Sequence, residues 1–138
     1  MEIRPYRTDD KEAVIALWGR CGLLRAWNDP EKDIERKLNV QPELFLVGTD
    51  GGAIIACAMS GYDGHRGSVN YLAVDPAHQK QGCGRALMAE IENRLAAMGC
   101  PKLNILIRSD NRVVHKFYEA LGYTVQAVQC VGKRLIPD

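Results

Sequence analysis

The sequence is short of the features that mark membrane, secreted and nucleic-acid-binding proteins. No run approaches the ~20 apolar residues that a membrane helix needs, and residues 1–5 contain no apolar signal region. The 18 basic and 17 acidic side chains nearly cancel, so no electrostatic surface for nucleic acid is indicated. We expect a cytoplasmic protein whose partners include neither a membrane nor a nucleic acid.

Cysteine is present without the spacings that give it a structural or metal-binding role. The five cysteines stand at positions 21, 57, 83, 100 and 130, with no Cys-x-x-Cys pair and no paired Cys/His spacing. This odd, scattered set argues against a disulfide framework and a zinc site, so we expect no metal. The 138 residues predict a single domain, 1–138, that buries about two-thirds of its unfolded surface.

A glycine-bearing turn is the most informative segment that the chain does contain. Residues 79–84, Gln-Lys-Gln-Gly-Cys-Gly, follow the apolar run 71–74 and lead into the predicted helix start 85–88. The first N–H groups of a helix lack intrahelical acceptors, and the helix dipole places about half a positive charge there. Gly82 and Gly84 have no Cβ, so a phosphate can approach the main chain. This order of elements predicts a pyrophosphate site.

Two common phosphate motifs do not fit the turn. A nucleotide-triphosphate loop needs Gly-x-x-x-x-Gly-Lys-Ser/Thr, whereas Gly84 is followed by Arg85 and Ala86. A dinucleotide fingerprint needs Gly-x-Gly-x-x-Gly, and residues 82–87 lack the third glycine. The remaining pattern, Gln/Arg-x-x-Gly-x-Gly/Ala, resembles the acetyl-CoA loop of the GNAT superfamily of N-acetyltransferases. A strand-to-helix turn without a ligand is the alternative.

A second block of sequence agrees with this resemblance. The strand-like residues 102–107 precede Asn111, which opens a predicted helix that Gly122 closes. Asn111, six further residues and Tyr-Glu-Ala-Leu-Gly-Tyr at 118–123 resemble the second GNAT signature at its usual distance from the first. Together the two blocks span residues 68–123.

The resemblance implies an acetyl-CoA-dependent N-acetyltransferase that transfers acetyl directly to a primary amine of a small metabolite or peptide. In the family the loop amides bind the CoA pyrophosphate, the asparagine contacts pantetheine or nearby backbone, and the tyrosine protonates the departing thiolate. Carried across, the last two roles fall on Asn111 and on Tyr118 as the catalytic residue. The implied CoA-binding residues are Leu72, Ala73, Val74, Gln79, Lys80, Gln81, Gly82, Cys83, Gly84, Arg85, Asn111 and Tyr118.

The reaction itself requires three kinds of group. A lysine-like amine has a pKa of about 10.4 and needs help to lose its proton. Charge that develops on the thioester oxygen needs a donor, which backbone N–H groups of residues 72–74 can supply. The thiolate leaves more easily when a phenol, here that of Tyr118, lies within hydrogen-bonding reach.

The general base stays open. Family members place a glutamate late in the second splayed strand or at the start of the first, and those positions resemble Leu106 and Ser68. Neither side chain takes up a proton at neutral pH, which leaves water, a low substrate pKa or a neighbouring residue. Asp63 and His65 are the candidates because their turn would open onto the amine side; ordinary turn chemistry is the alternative.

Substrate contacts are predicted in two segments. Residues 23–29 lie in the segment that overhangs the acceptor site in GNAT folds, and residues 61–67 precede the CoA-facing strand. An indole can stack on a substrate and a guanidinium can clamp a carboxylate. The sequences at 27–30 and 61–67 resemble the small YpeA-like bacterial acetyltransferases. The candidate substrate residues are Trp27, Asp29, Tyr62, Asp63, His65 and Arg66.

The order of elements predicts an α/β (α+β) fold with a mixed sheet of six to seven strands and about four helices on both faces, and this order resembles the GNAT fold. The resemblance implies a splayed central parallel pair, which would be residues 68–74 and 103–107. The predicted strands are 3–7, 44–49, 53–61, 68–74, 102–107, 124–130 and 132–136, and helices begin after Asp9 and at Pro30. The exposed edge of such a sheet is compatible with a homodimer.

Two further functions remain open at this point. An acetyltransferase acting on a protein lysine or N-terminus would be favoured by an acidic or grooved acceptor surface, for which the balanced charge offers no support. A non-catalytic acyl-CoA-binding regulatory module would be favoured by the missing strand glutamates. The presence of Tyr118 and Asn111 argues against that module.

Overall fold

A computed structural model describes every residue of the chain, Met1–Asp138. The chain divides into two compact units, of which the first is Met1–Asn104 with Asp138 and the second is Ile105–Pro137. The first unit contains a five-stranded sheet and three α-helices, and the second contains one α-helix.

The sheet of the first unit is mixed. Its strands are β1 (Glu2–Pro5), β2 (Phe45–Asp50), β3 (Ala53–Tyr62), β4 (Gly67–Val74) and β5 (Leu103–Asn104), in this spatial order. Successive pairs are antiparallel up to β4, whereas β5 runs parallel to β4. Parallel pairing is short, because it joins only Gly67 to Leu103 and Ser68 to Asn104. The remainder of β4 therefore has no paired strand on that edge.

Four α-helices form: α1 (Lys11–Arg20), α2 (Pro30–Leu38), α3 (Cys83–Ala97) and α4 (Arg112–Ala120). The predicted start of α2 is confirmed, since the Asp29 carboxylate accepts hydrogen bonds from the amides of Glu31 and Lys32, and Pro30 occupies the first helical position. None of the four combines the length and apolarity that crossing a membrane requires.

Helices cover both faces of the sheet. Successive residues of a strand point to opposite faces, and one face of β2 and β3 packs with α1 and α2 around the buried Trp18. The other face is covered by α3, which contacts β2, β3 and β4. The buried residues on the side of α1 and α2 are Val14, Leu17, Trp18, Ile34, Phe45, Val47, Cys57, Met59 and Ala73. The buried residues on the side of α3 are Leu46, Ala56, Ala58, Leu87, Met88, Ile91 and Leu95.

The sheet has five strands, so the prediction of six to seven was wrong. Residues 124–130 and 132–136 are irregular, and β5 is shorter than the predicted run 102–107. Apolar side chains of this C-terminal segment, including those of Val125 and Val131, are exposed. Strand formation depends on cross-strand partners more than on intrinsic propensity. The parallel pair consequently lies at the edge of the sheet and not at its centre.

The start of α1 also differs from the prediction. A short 3₁₀ turn, Thr8–Asp10, precedes the helix, and the capping carboxylate belongs to Asp10, which accepts a hydrogen bond of 2.8 Å from the Arg7 amide. Both terminal nitrogens of Arg4 donate hydrogen bonds to the same carboxylate, at 2.8 and 3.0 Å. Hydrogen bonding from Arg4, reinforced by the Arg7 amide, lowers the pKa of Asp10. This partly buried ion pair joins β1 to the 3₁₀ turn that precedes α1.

Asp10→Asn should destabilise the fold by about 1.5–3 kcal/mol at pH 7, because it removes a charge-assisted, bidentate partner from Arg4. A carboxyl group with a lowered folded-state pKa stabilises fully above its unfolded pKa of about 3.9, and this contribution disappears as pH falls through the folded-state pKa. Urea unfolding at pH 7 and pH 3 measures both effects. The exposed neighbour Asp9 supplies the matched control, Asp9→Asn. Equal stability of Asp10→Asn and the unmodified protein at pH 7 would contradict the assignment.

Candidate active site

The loop before α3 adopts a conformation that its glycine makes accessible. Gly82 precedes the helix with φ of +84°, and Lys80 has φ of +63°. No atom would meet a Cβ at Gly82, so its backbone conformation, and not crowding, is what favours glycine there. The first intrahelical hydrogen bond runs from the Ala86 amide to the Gly82 carbonyl at 2.9 Å.

The amides at the start of α3 have no acceptor within the chain. None of the N–H groups from Gln81 to Arg85 donates a hydrogen bond to a backbone or side-chain acceptor, and the first turn contains no acidic residue. The residue at the second helical position, Gly84, is buried. Unpaired amides at the positive end of a 15-residue helix can bind an anion. Binding of a pyrophosphate to residues 79–85 stays a prediction.

The chain anchors the loop from its upstream side. Asp75 caps the short 3₁₀ helix Pro76–His78 by accepting from the Ala77 amide at 2.9 Å. Its other oxygen receives two hydrogen bonds from the Arg20 guanidinium, at 2.7 and 3.0 Å. The amide hydrogen bond and then Arg20 hold the pKa of Asp75 below its ordinary value. Sequence reasoning missed Asp75, although an aspartate before a proline is a recognisable helix-start signal.

Two of the loop side chains line an open depression of about 310 Å³. Cys83 and Gln81 meet there with His78, whose Nδ1 is buried without a hydrogen-bond partner and whose Nε2 lies 3.8 Å from an Asp50 carboxylate oxygen. Cys83, which belongs to the predicted CoA-binding loop, therefore forms part of the wall of this depression. The complete lining is Met1, Asp50, Ile55, His78, Gln81, Gly82, Cys83 and Ala86.

Strand β4, which precedes the loop, contains a β-bulge. Cys57 lies opposite Ala73 and Met59 opposite Asn70, so two residues of β4, Tyr71 and Leu72, face the single residue between them on β3. Tyr71 has φ of +55°, a conformation that costs a residue with a side chain about 1–3 kcal/mol.

Past the bulge, a backbone amide faces the unpaired edge. The Asp75 amide donates to the Ile55 carbonyl at 2.7 Å, on the β3 side. Consecutive residues of a strand direct their N–H groups to opposite edges, so the Val74 amide points to the edge where β4 has no neighbouring strand. An amide at such a position can donate to a developing oxyanion.

In the second unit, α4 has the boundaries that the sequence predicts. The Asn111 side-chain oxygen caps the helix by accepting from the Val114 amide at 3.2 Å. Gly122, with φ of +92°, follows its last turn. Since Oδ1 of Asn111 caps the helix, its Nδ2 is the group left for a ligand.

Tyr118 is a buried phenol within α4, with 4% of its surface exposed. Its ring makes edge contacts with Phe117 and Tyr123, at centroid distances of 5.0 and 5.4 Å. Desolvation raises the pKa of Tyr118 above its ordinary value. The hydroxyl therefore keeps its proton throughout the neutral range.

The predicted substrate residues fall into two separate segments. In the β3–β4 turn, Asp63 accepts from the amides of His65 and Arg66, both at 2.8 Å, and these bonds lower the pKa of its carboxyl. Tyr62 and Arg66 likewise donate to carbonyls of the same turn. These contacts favour the turn-forming interpretation of Asp63 over that of a general base. Trp27, 52% exposed, and Asp29 lie at the entry to α2.

Gly82→Ala should lower the affinity for coenzyme A about tenfold, because a Cβ disfavours the left-handed turn that aims the amides. Isothermal titration calorimetry with coenzyme A measures the change. Gly99 is the matched control, since it has φ of +86° and open space around its Cβ position just beyond the other end of α3. We expect Gly99→Ala to lose similar thermal stability and to bind coenzyme A normally; equal affinities for both variants would contradict the role of the loop.

Known proteins share both the sequence and the fold. The model of the Acetyltransferase (GNAT) family matches residues 8–123. A Yersinia pestis protein named "uncharacterized N-acetyltransferase" is 55% identical over 138 residues, which cover 100% of this chain and 98% of that protein. The YpeA-like resemblance stays a prediction.

Solved structures agree with this match. The ribosomal-protein-S18-alanine N-acetyltransferase from Escherichia coli superimposes with a TM-score of 0.72 and 28% identity, covering 88% of this chain and 76% of that one. Ard1 from Thermoplasma volcanium has the same fold, with a TM-score of 0.79, 23% identity and coverages of 91% and 84%. Because the family match includes the loop, the open amides and Tyr118, the chain belongs to the GNAT family and is an N-acetyltransferase.

Proposed function

We propose that this N-acetyltransferase transfers the acetyl group of acetyl-CoA directly to a primary amine of a small metabolite or peptide. The observation that carries the proposal is the set of unbonded amides at the start of α3, a site suited to a diphosphate. Family membership supplies acetyl-CoA as the acetyl donor. Exposed basic side chains of Lys80 and Arg85 add positive charge beside these amides.

The donor end of the reaction uses the β4 edge. With the diphosphate on residues 79–85, the pantetheine arm runs along β4 and the thioester carbonyl accepts from the amides of Leu72 and Val74, which face the unpaired edge of the strand. These donors are fixed by the strand, so they stabilise the oxyanion of the tetrahedral intermediate without reorganising. Nδ2 of Asn111 binds the pantetheine amides.

The acceptor amine loses its proton to water and then attacks the carbonyl carbon as a neutral nucleophile. A carbon–nitrogen bond forms, the carbon–sulfur bond breaks, and the thiolate takes the phenolic proton of Tyr118 as it leaves. The second amine proton passes to solvent and the phenolate is reprotonated. Burial keeps the phenol of Tyr118 protonated before each turnover, so the proton is present when the thiolate leaves.

Tyr118→Phe should reduce kcat by about a hundredfold or more while leaving the Kd for coenzyme A within about twofold, because general acid catalysis is lost and ring packing is kept. Steady-state kinetics and calorimetry measure the two constants. Tyr6→Phe is the control: Tyr6 is also buried, and its ring stacks on Phe45 at a centroid distance of 4.4 Å. Unchanged turnover in Tyr118→Phe would reject the proton-donor role.

The acceptor class is testable with a panel of small primary amines and short peptides, read as free coenzyme A released from acetyl-CoA. We expect release with at least one small amine or peptide, and no release in Tyr118→Phe. Stabilisation of the protein by coenzyme A in a thermal-shift assay serves as the control for a competent CoA site. Binding without release from any amine or protein acceptor would instead identify the non-catalytic module.

A protein N-terminus is the second candidate acceptor. The 28% identity to the E. coli ribosomal-protein-S18-alanine N-acetyltransferase, over 88% of this chain, favours it. The panel therefore includes peptides with a free N-terminal alanine, paired with otherwise identical peptides whose only amine is a lysine side chain. Preference for the N-terminal alanine peptides over every small amine would decide for this candidate.

A further inference from the structure

Tyr71 is a large aromatic residue held in a conformation that side chains disfavour. Its φ of +55° coincides with the bulge of β4, next to the amides assigned above to the thioester carbonyl. A bulky residue in the left-handed region persists only where its surroundings determine it, and such outliers are concentrated at functional sites. The contacts of Tyr71 therefore indicate which part of the site this strained conformation holds in place.

The Tyr71 side chain is held through the face of its ring and through its hydroxyl. The ring stacks on that of Trp18, with centroids 3.9 Å apart and an angle of 16° between the planes, and Trp18 is completely buried. The hydroxyl donates a hydrogen bond of 2.6 Å to Oδ2 of Asp33 in α2. A rigid aromatic stack and a charge-assisted hydrogen bond together fix the ring between two helices.

The main chain of Tyr71 is held by the same cluster. Cys57 accepts a hydrogen bond from the Trp18 indole at 3.1 Å, and its Sγ lies 3.8 Å from the Tyr71 carbonyl oxygen. In a trans peptide the carbonyl and the N–H point in opposite directions. With the Tyr71 carbonyl turned to Cys57 on β3, the Leu72 N–H is aimed away from β3.

We propose that Tyr71 is a positioning residue for acetyl transfer: by its contacts with Trp18, Cys57 and Asp33, it holds the bulge so that the Leu72 amide donates to the thioester carbonyl. This inference rests on the proposed function, because it concerns the same donor site. Tyr71 touches neither acetyl-CoA nor the amine, and it acts through the peptide that follows it.

Three variants separate positioning from general stability. Tyr71→Phe removes the hydroxyl and keeps the stack. Asp33→Ala removes the acceptor at a partly buried position of α2, where it also accepts a hydrogen bond from Arg36. Asp33→Asn restores a neutral acceptor of the same shape. Tyr6→Phe removes a phenol from the other buried aromatic pair and serves as the control. Each is assayed for kcat and KM for acetyl-CoA, for thermal stability, and for the infrared carbonyl band of bound, carbonyl-¹³C-labelled acetyl-CoA.

The expected result is a fall in kcat of about tenfold in Tyr71→Phe and Asp33→Ala, less than the about hundredfold loss that follows deletion of an oxyanion donor. KM for acetyl-CoA stays within about twofold, and Asp33→Asn regains most of the activity. The carbonyl band of the unmodified protein lies at lower frequency than that of free acetyl-CoA and moves back toward the free value in the two impaired variants. Tyr6→Phe changes neither kcat nor the band.

Loss of thermal stability with normal kcat and an unmoved carbonyl band would overturn the inference and leave Tyr71 a packing residue. A protein that binds acetyl-CoA but acetylates no acceptor would refute the proposed function alone, because the carbonyl band still reports on the bulge. Failure to bind acetyl-CoA would overturn both.

Discussion

The first N–H groups of an α-helix have no acceptor within the helix. The helices of this chain differ in what accepts these hydrogen bonds. α2 and α4 begin with side-chain caps from Asp29 and Asn111, which use the available donors internally. α3 has Gly82 at its N-cap, no capping side chain and no carboxylate in its first turn. The longest helix is thus the one whose positive end is left for an external anion. The aspartate that immediately precedes the loop in sequence, Asp75, accepts hydrogen bonds from Ala77 and Arg20 instead.

The sheet supplies the second requirement of the site, a strand edge that is not already bonded. β4 is paired along β3 but meets β5 at only two residues, so its later amides are available on one side. The bulge bends β4 at the same point, and Trp18 stacks there on the ring of Tyr71, a residue of the bulge. An anion site and an open edge therefore follow each other within one continuous stretch of chain, residues 71–85.

Features that depend on neighbouring residues, such as helix boundaries, could be predicted from the sequence. Features that depend on partners distant in sequence, such as strands and the bulge, could not. Gly82, Asn111 and the Asp29–Pro30 pair each determine a helix boundary through contacts within a few residues, so their positions could be predicted. The runs 124–130 and 132–136 have strand-like composition, yet a strand exists only with a paired neighbour, and there they are irregular. The bulge at Tyr71 depends on the register of two strands, and the Asp33 contact bridges 38 positions of sequence. No pattern in residues 68–74 reveals either one.

The contrast between the two tryptophans has a spectroscopic consequence. Trp18 is sealed in the core against a tyrosine ring and a thiol, whereas half of the Trp27 surface is exposed in the segment that leads into α2. A stacked indole that donates to sulfur is a poor emitter, and an indole in contact with water emits at long wavelength. We therefore expect Trp27 to dominate the intrinsic fluorescence of the folded protein, which would make it a reporter at the segment where the acceptor is predicted to bind.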